Sequence, residues 1–351
     1  MVSVLVLNLG STSSKYAIYE DNQCKVSQNI SHTKSVLNRA MTEQEGLRQE
    51  IIEAAIENSG YQLNQIDAVA CRGGILKPLI GGTYVVNTRM YDDLKQFKYG
   101  THASNLSAMI GYQLGQKYHI PVFTTDPVVV DELIDEVRYT GIPEIKRRSI
   151  FHALNQKAVA RQYAKKTNQS YESLNVIVIH MGGGISIGAH EQGRVIDVNE
   201  ALYGEGPMAT DRAGSLPNDL LISYMETHQL SVEDVKYKLS RHSGLKAYFN
   251  TTDLKQLMTR YDEPEVKIII DAMIVQIAKA IGERAAVLKG QVDQIIFTGG
   301  MSHSTMLVDA IAKYIDWIAP ITVFPGEHEM DTLAECAQSA LKQEIKIQTY
   351  Q

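Results

Sequence analysis

The chain has 351 residues, 44% of them hydrophobic and 21% charged, a make-up that suits a globular protein long enough for two domains with separate cores. Its formal net charge of −6, with no basic run longer than Lys146-Arg147-Arg148, argues against a nucleic-acid partner, and the want of any stretch of about 18 uncharged apolar residues argues against a membrane. No basic leader opens the chain, and Cys24, Cys71 and Cys336 are too few and too widely spaced for a disulfide frame or a zinc site, so a cytoplasmic protein with reduced thiols is expected.

In chain order, the first elements expected are an apolar strand at 2–7, a Gly/Ser turn at 10–14 and an alternating strand at 15–20, together a β-hairpin with a hydroxyl-rich tip. A helix at 43–58, a buried strand at 66–71, a helix at 102–117 and a strand at 121–125 follow. A helix at 152–166 then leads to a second hairpin, 175–179 and 185–189, turning through His180-Met181-Gly182-Gly183-Gly184. A long amphipathic helix at 264–289, stopped by Gly290, precedes strands at 294–298 and 321–324 and a last helix at 333–342. Strands alternating with helices predict an α/β fold. The repeated hairpin-then-helices plan predicts two similar domains, 1–148 and 149–351, facing one another across an interdomain cleft, with the last helix able to pack back on the first domain.

Glycine lets backbone amides approach an anion without a Cβ in the way, so Gly-rich turns with hydroxyls nearby are candidate phosphate cradles. Three occur, each after an apolar strand: 10–14, Gly182-Gly183-Gly184 and Thr298-Gly299-Gly300. None is a G-x-x-x-x-G-K-[ST] loop, a dinucleotide G-x-G-x-x-G or part of a protein-kinase signature set, so the phosphate grip belongs to another fold.

The opening Asn8-Leu9-Gly10-Ser11-Thr12-Ser13-Ser14-Lys15 resembles the first phosphate motif of the acetate and butyrate kinase (acetokinase) family, within the superfamily of sugar kinases and actin. The likeness continues through Arg72-Gly73-Gly74, Gly100-Thr101-His102-Ala103-Ser104-Asn105, Asp126-Pro127, Phe151-His152-Ala153-Leu154-Asn155, His180-Met181-Gly182-Gly183-Gly184, Gly204-Glu205-Gly206-Pro207, Arg212, Thr298-Gly299-Gly300 and Gly326-Glu327-His328-Glu329. These motifs look like the butyrate branch rather than the acetate branch. Leu9 stands where Pro is usual, Cys71 where Gly is usual, and Met208-Ala209-Thr210 replaces Phe-Ser-Pro.

The resemblance implies two actin-like (ribonuclease H-like) domains in a homo-oligomeric enzyme without a prosthetic group. Its reaction would be the reversible in-line transfer butyrate + ATP = butyryl phosphate + ADP, with Mg²⁺ accompanying ATP or ADP. Arg72 and Arg212 would clamp the acceptor carboxylate and the moving phosphoryl, using a planar fork that Lys lacks. By the same resemblance His180 donates to the transition-state phosphoryl, and His102, Asn105 and His152 attend the acceptor. Asp126 orients the arginine and the metal's water, and Glu329, with Glu327 its rival, joins Asn8 nearest Mg²⁺. Asn8, Ser11, Ser13 and Lys15 would face the phosphates opposite Gly182, Gly183 and Gly184, with Thr298, Gly299 and Gly300 on the adenosine side. Residue type alone leaves plainer readings open: surface ion pairs for the arginines, core histidines, and a helix N-cap for Asp126. Two other functions also stay open, a kinase for acetate, propionate or isobutyrate and a nucleotide-switched binding protein on the same scaffold.

Overall fold

The computed structural model describes residues 2–203 and 205–351; Gly204 of the Gly-Glu-Gly-Pro motif lies outside the described residues. Contacts divide the chain into two units, 1–130 with 328–351, and 131–327.

The first unit runs through β1 (Ser3–Leu9), β2 (Ser13–Glu20), β3 (Gln23–Ser31), α1 (Lys34–Leu37), α2 (Met41–Asn58), β4 (Ala68–Cys71), β5 (Thr83–Val85), α3 (Thr88–Lys95), α4 (Asn105–Tyr118) and β6 (Val122–Thr125). Its strands and the chain's twelfth, β12 (Ile347–Thr349), form one sheet in the order β12-β5-β6-β4-β1-β2-β3. β1 is an interior strand between β4 and β2, and Val4, Leu5, Val6 and Leu7 are all fully buried, as a continuous apolar run covered on both faces requires. α4 lies close on the sheet because Gly111 sits directly on the Cys71 sulfur and Val122, where a Cβ would collide. β3 is an edge, mostly exposed and polar, which suits a strand with one unpaired side.

The second unit contains α5 (Ala153–Lys166), β7 (Asn175–Met181), β8 (Ile185–Glu191), β9 (Arg194–Val198), α6 (Asn218–Thr227), α7 (Val232–Arg241), α8 (Gly244–Phe249), α9 (Leu254–Met258), α10 (Pro264–Val287), β10 (Gln294–Gly299), α11 (Thr305–Ile315) and β11 (Ile321–Pro325). Its sheet runs β11-β10-β7-β8-β9. α10 enters on Pro264, whose missing N–H costs nothing in a first turn, and packs Ile270, Ile277 and Ile281 against Ile177, Ile187 and Phe297. α5 covers the opposite face, with Val159 and Ala160 on Val178 and Ile296.

Read outward from their meanders, β3-β2-β1-β4-β6 and β9-β8-β7-β10-β11 have the same order and the same senses: two antiparallel pairings, then two parallel ones. The predicted hairpin repeat is thus the core of a repeated five-stranded plan. The division near 148 differs from the contacts, which put residues 131–148 with the second unit. Buried polar ties hold them there: Ile134 N donates to Ile196 O at 3.0 Å, Glu132 takes Lys157 Nζ at 2.8 Å, and Arg147 pairs with Asp197 at 2.8 Å. After β11 the chain returns to the first unit as α12 (Glu329–Leu341) and β12. No helix among the described residues is long and apolar enough to cross a membrane.

Candidate active site

In the first unit the polar groups gather where β1 and β4 end. Asn8 and Lys15 face one another in the β1/β2 register, so they share a side of the sheet, and Lys15 is exposed there. Arg72 follows β4 directly. Its guanidinium lies 3.6 Å from Glu329 Oε2 and donates to Asn8 Oδ1 at 3.4 Å, while Asn8 Nδ2 donates to Glu329 Oε2 at 2.9 Å. Glu329 is buried at the first position of α12, where the helix dipole favours an anion; Glu327 is exposed and belongs to the other unit. The structure therefore groups Asn8, Arg72 and Glu329, which are far apart in the chain. The 10–14 turn closes with Gly10 N donating to Ser13 O at 2.9 Å, leaving Ser11 exposed and Ser13 half-buried.

Asp126, Asn105 and His102 are tied to the surrounding loops. Asp126 is fully buried after β6, at φ +42°, and its Oδ1 accepts from Gly82 N at 2.7 Å while its own N–H donates to Gly82 O. Residues 127–130 make a turn, so Asp126 caps no helix. Asn105 opens α4, accepts from Ile75 N at 2.8 Å and donates to Gly100 O at 3.0 Å, which clamps the loop that follows Arg72. His102 Nδ1 bonds Ser104 Oγ at 2.8 Å.

In the second unit His180 lies one residue before the end of β7 and is stacked on His152, ring centroids 3.8 Å apart and planes within 10°. His180 Nδ1 meets Asn155 Oδ1 at 3.1 Å, and His152 Nδ1 meets Ser186 Oγ at 2.9 Å. Behind them runs a buried polar chain. Gln156 Nε2 reaches the Ser186 carbonyl at 3.0 Å, which only accepts, so the amide orientation is set and Gln156 Oε1 must accept from His190 Nε2 at 3.0 Å. His190 is therefore protonated on Nε2, and its Nδ1 accepts from the Tyr171 hydroxyl at 2.7 Å. Burial first, then Lys157 and Arg161, hold the His190 pKa well below its ordinary value.

Gly184 lies under Arg212: a Cβ there would enter the guanidinium. Arg212 donates to Ala201 O and lies 4.0 Å from Asp211, while its Nε and Asp211 Oδ1 are buried without hydrogen-bond partners. Burial pushes the Arg212 pKa down. Gly299, at φ +88°, exchanges two 3.0 Å bonds with Gly326, and Thr298 Oγ1 donates to Gly326 O at 3.2 Å. A cavity of about 700 Å³ opens beside these turns, lined by Gly182, Gly183, Asp211, Asp253, Lys255, Met258, Gly300 and His303 among others. Thr298 and Gly299 are thus structural neighbours of the cavity, and Gly300 lines it.

Residues 122–323, more than half of the chain, match the model of the acetokinase family. Among curated relatives, a "Probable butyrate kinase" of Clostridium botulinum (strain Alaska E43 / Type E3) is 43% identical over 351 residues, covering 99% of each chain. "Butyrate kinase 2" of Clostridium acetobutylicum is 43% identical over 336 residues, 95% of this chain and 94% of that one. The chain belongs to the acetokinase family.

Solved structures agree on the acetokinase fold. Porphyromonas gingivalis acetate kinase superposes with a TM-score of 0.79 at 17% identity, over 97% of this chain and all of that one. A propionate kinase from Francisella tularensis gives 0.75 at 19%, over 96% and 99%. In this acetokinase the sequence reading missed Asp211, Asp253, Lys255 and His303 on the cavity and Gln156 and His190 behind the histidines. Only Asp253 left a local trace: it caps α9, accepting from Gln256 N at 3.1 Å, and a Thr-Thr-Asp run is a helix-start signal. The others lie in segments whose apolar pattern says nothing about which polar residue faces a ligand.

Proposed function

We propose that this protein is a butyrate kinase, which transfers the γ-phosphoryl group of ATP to butyrate and runs in reverse from butyryl phosphate and ADP. What carries the reading is likeness along nearly the whole chain to proteins named butyrate kinase. The acceptor is a carboxylate, ionised at neutral pH without help, so no general base is required. One carboxylate oxygen bonds to the γ-phosphorus as the bond from phosphorus to the β,γ-bridging oxygen breaks, and ADP leaves with that electron pair. The task is to align like charges and neutralise them.

Arg72 and Arg212 are the cations for this. Arg212, desolvated and with Nε unsatisfied, has a donor to offer to an incoming anion. The stacked His152 and His180 rings offer ring nitrogens to the phosphoryl, with His180 Nε2 close against Gly182 of the glycine turn. Asn105 and Asp126 fix the loops from which Arg72 and His102 act. The Gly182 to Gly184 turn, Gly300 and the neighbouring cavity take the nucleotide, whose size the volume suits.

Magnesium fits the Asn8 and Glu329 pair. One buried carboxylate and one amide oxygen, at the ends of β1 and α12, are the kind of oxygen donors that a hard cation shares with phosphate and water. When bound it would neutralise phosphate charge. We further propose a cytoplasmic homo-oligomer; Ile268 and Val275, exposed on α10, support the second part.

The test is acyl phosphate formation, trapped as the hydroxamate, with MgATP and straight or branched acids of two to six carbons. A rate that peaks at four carbons, and falls on the order of a hundredfold in Arg212→Ala, is expected. A peak at acetate or propionate would move the acceptor within the family, and ATP hydrolysis without an acid-dependent product would overturn the kinase reading.

A further inference from the structure

α2 carries a buried cation outside the groups assigned so far. Arg48 is 0% exposed, and its guanidinium donates to Gly10 O at 2.8 Å, Ser11 O at 3.1 Å and Gln44 Oε1 at 2.8 Å. All three acceptors are neutral, and Nε has no hydrogen-bond partner. Gln44, one turn earlier on the helix, is itself held by donating to Leu37 O and Arg39 O, which fixes the plane of the guanidinium. Burial lowers its pKa, and no ion pair to a carboxylate offsets this among the described residues. A full charge in that position is costly unless something compensates it.

The backbone geometry says where compensation would come from. A peptide unit is planar and trans, so its N–H points opposite its C=O. Drawing the Gly10 and Ser11 carbonyls inward onto Arg48 turns the N–H groups of Ser11 and Thr12 outward, where both residues are exposed. Successive outward amides form an anion-binding concavity.

We propose that Arg48 is a positioning residue for the phosphate loop, presetting the Ser11 and Thr12 amides toward a bound nucleotide phosphate and supplying from behind the backbone the positive charge that this phosphate neutralises. The inference rests on that part of the proposed function which reads 10–14 as a nucleotide-phosphate loop.

MgATP binding by calorimetry, with no acid present, tests it in Arg48→Met and Arg48→Lys, alongside the KM for butyrate. Arg48→Met is expected to bind MgATP on the order of tenfold more weakly, the scale of a charge-assisted hydrogen bond, with the KM for butyrate within about twofold of wild type. Arg48→Lys, which keeps the charge and loses the fork, falls between. Wild-type MgATP affinity in a folded Arg48→Met, or equal weakening of both substrates, would overturn the proposal. Should Arg48→Met fail to fold, Arg48→Lys and Gln44→Leu decide: both must weaken MgATP alone, and wild-type affinity in both sinks it. A wild-type protein that binds MgATP and makes no acyl phosphate would sink the kinase reading and leave this one standing. Acyl phosphate formation with an unchanged KM for ATP in Arg48→Met would do the reverse.

Discussion

A Cβ added at Gly299 would run into the Met181 backbone, at a φ where any side chain is strained. Gly299→Ala is therefore expected to cost about 1–3 kcal/mol, read as a lower urea midpoint, and to weaken MgATP as the turn shifts. Glu329→Gln keeps the shape and removes the charge. It should raise the Mg²⁺ concentration for half-maximal rate at least tenfold or so while leaving the melting temperature nearly unchanged, since Arg72 is partly exposed and can be solvated. An unaltered Mg²⁺ dependence would remove Glu329 from the metal. The glycine turns were legible in the sequence because glycine carries its own physical reason. The cluster of Asn8, Arg72 and Glu329 was not, because local pattern cannot join positions 64 and 321 residues apart; only family resemblance suggested it. Arg48 left no sign at all, since an arginine in a helix is read as a solvated face.

Among the elements, α5 and β8 form the frame of the histidine pair through Gln156, Ser186 and His190. Gln156→Leu should leave His190 and Ser186 without their shared partner and lower kcat more than it raises either KM. Its expected signature is a changed imidazole ¹⁵N shift at His152; an unchanged shift would make the chain mere packing. The same chain has a pH consequence. The native pKa of His190 lies well below its ordinary 6.5, so as pH falls the unfolded chain takes up the proton first. The stability it lends is full above about pH 6.5 and declines below, by up to ~1.4 kcal/mol per pH unit. Urea midpoints from pH 7.5 down to 5 should show this fall, and His190→Gln should flatten it; an equal slope in the variant would place the effect elsewhere. Elements with a buried apolar stripe or run, such as β1, β7, β10 and α10, were readable from periodicity. α6 buries no residue and α7 only Val235, so neither is fixed by a buried stripe, and edge strand β3 is too polar to resemble its neighbours.

Over the whole molecule, duplication was legible because both meanders begin with the same apolar run and glycine turn. The boundary was not, because residues 131–148 are tied to the second unit largely by polar contacts, Glu132 with Lys157 and Arg147 with Asp197 among them, and only Ile134 of the segment packs on that unit's apolar core. The first unit is built from two separated stretches of chain, with Leu333, Ala334 and Ala337 of α12 buried in it. A chain stopped after Glu327 should lose cooperative melting of that unit and become poorly soluble, its sheet face uncovered. A truncated protein that melts as the wild type does would contradict this.

That split has a consequence for how the protein is born. Synthesis at about 5–20 residues per second delivers all of 131–327 while 2–130 waits roughly ten to forty seconds for its closing helix. The ribosome thus finishes the inserted unit first, and the nascent first unit keeps an open apolar slot that invites a chaperone. Glu329 emerges long after Asn8 and Arg72, so a newborn chain that carries those two gains its carboxylate only once the whole of the inserted unit has been made.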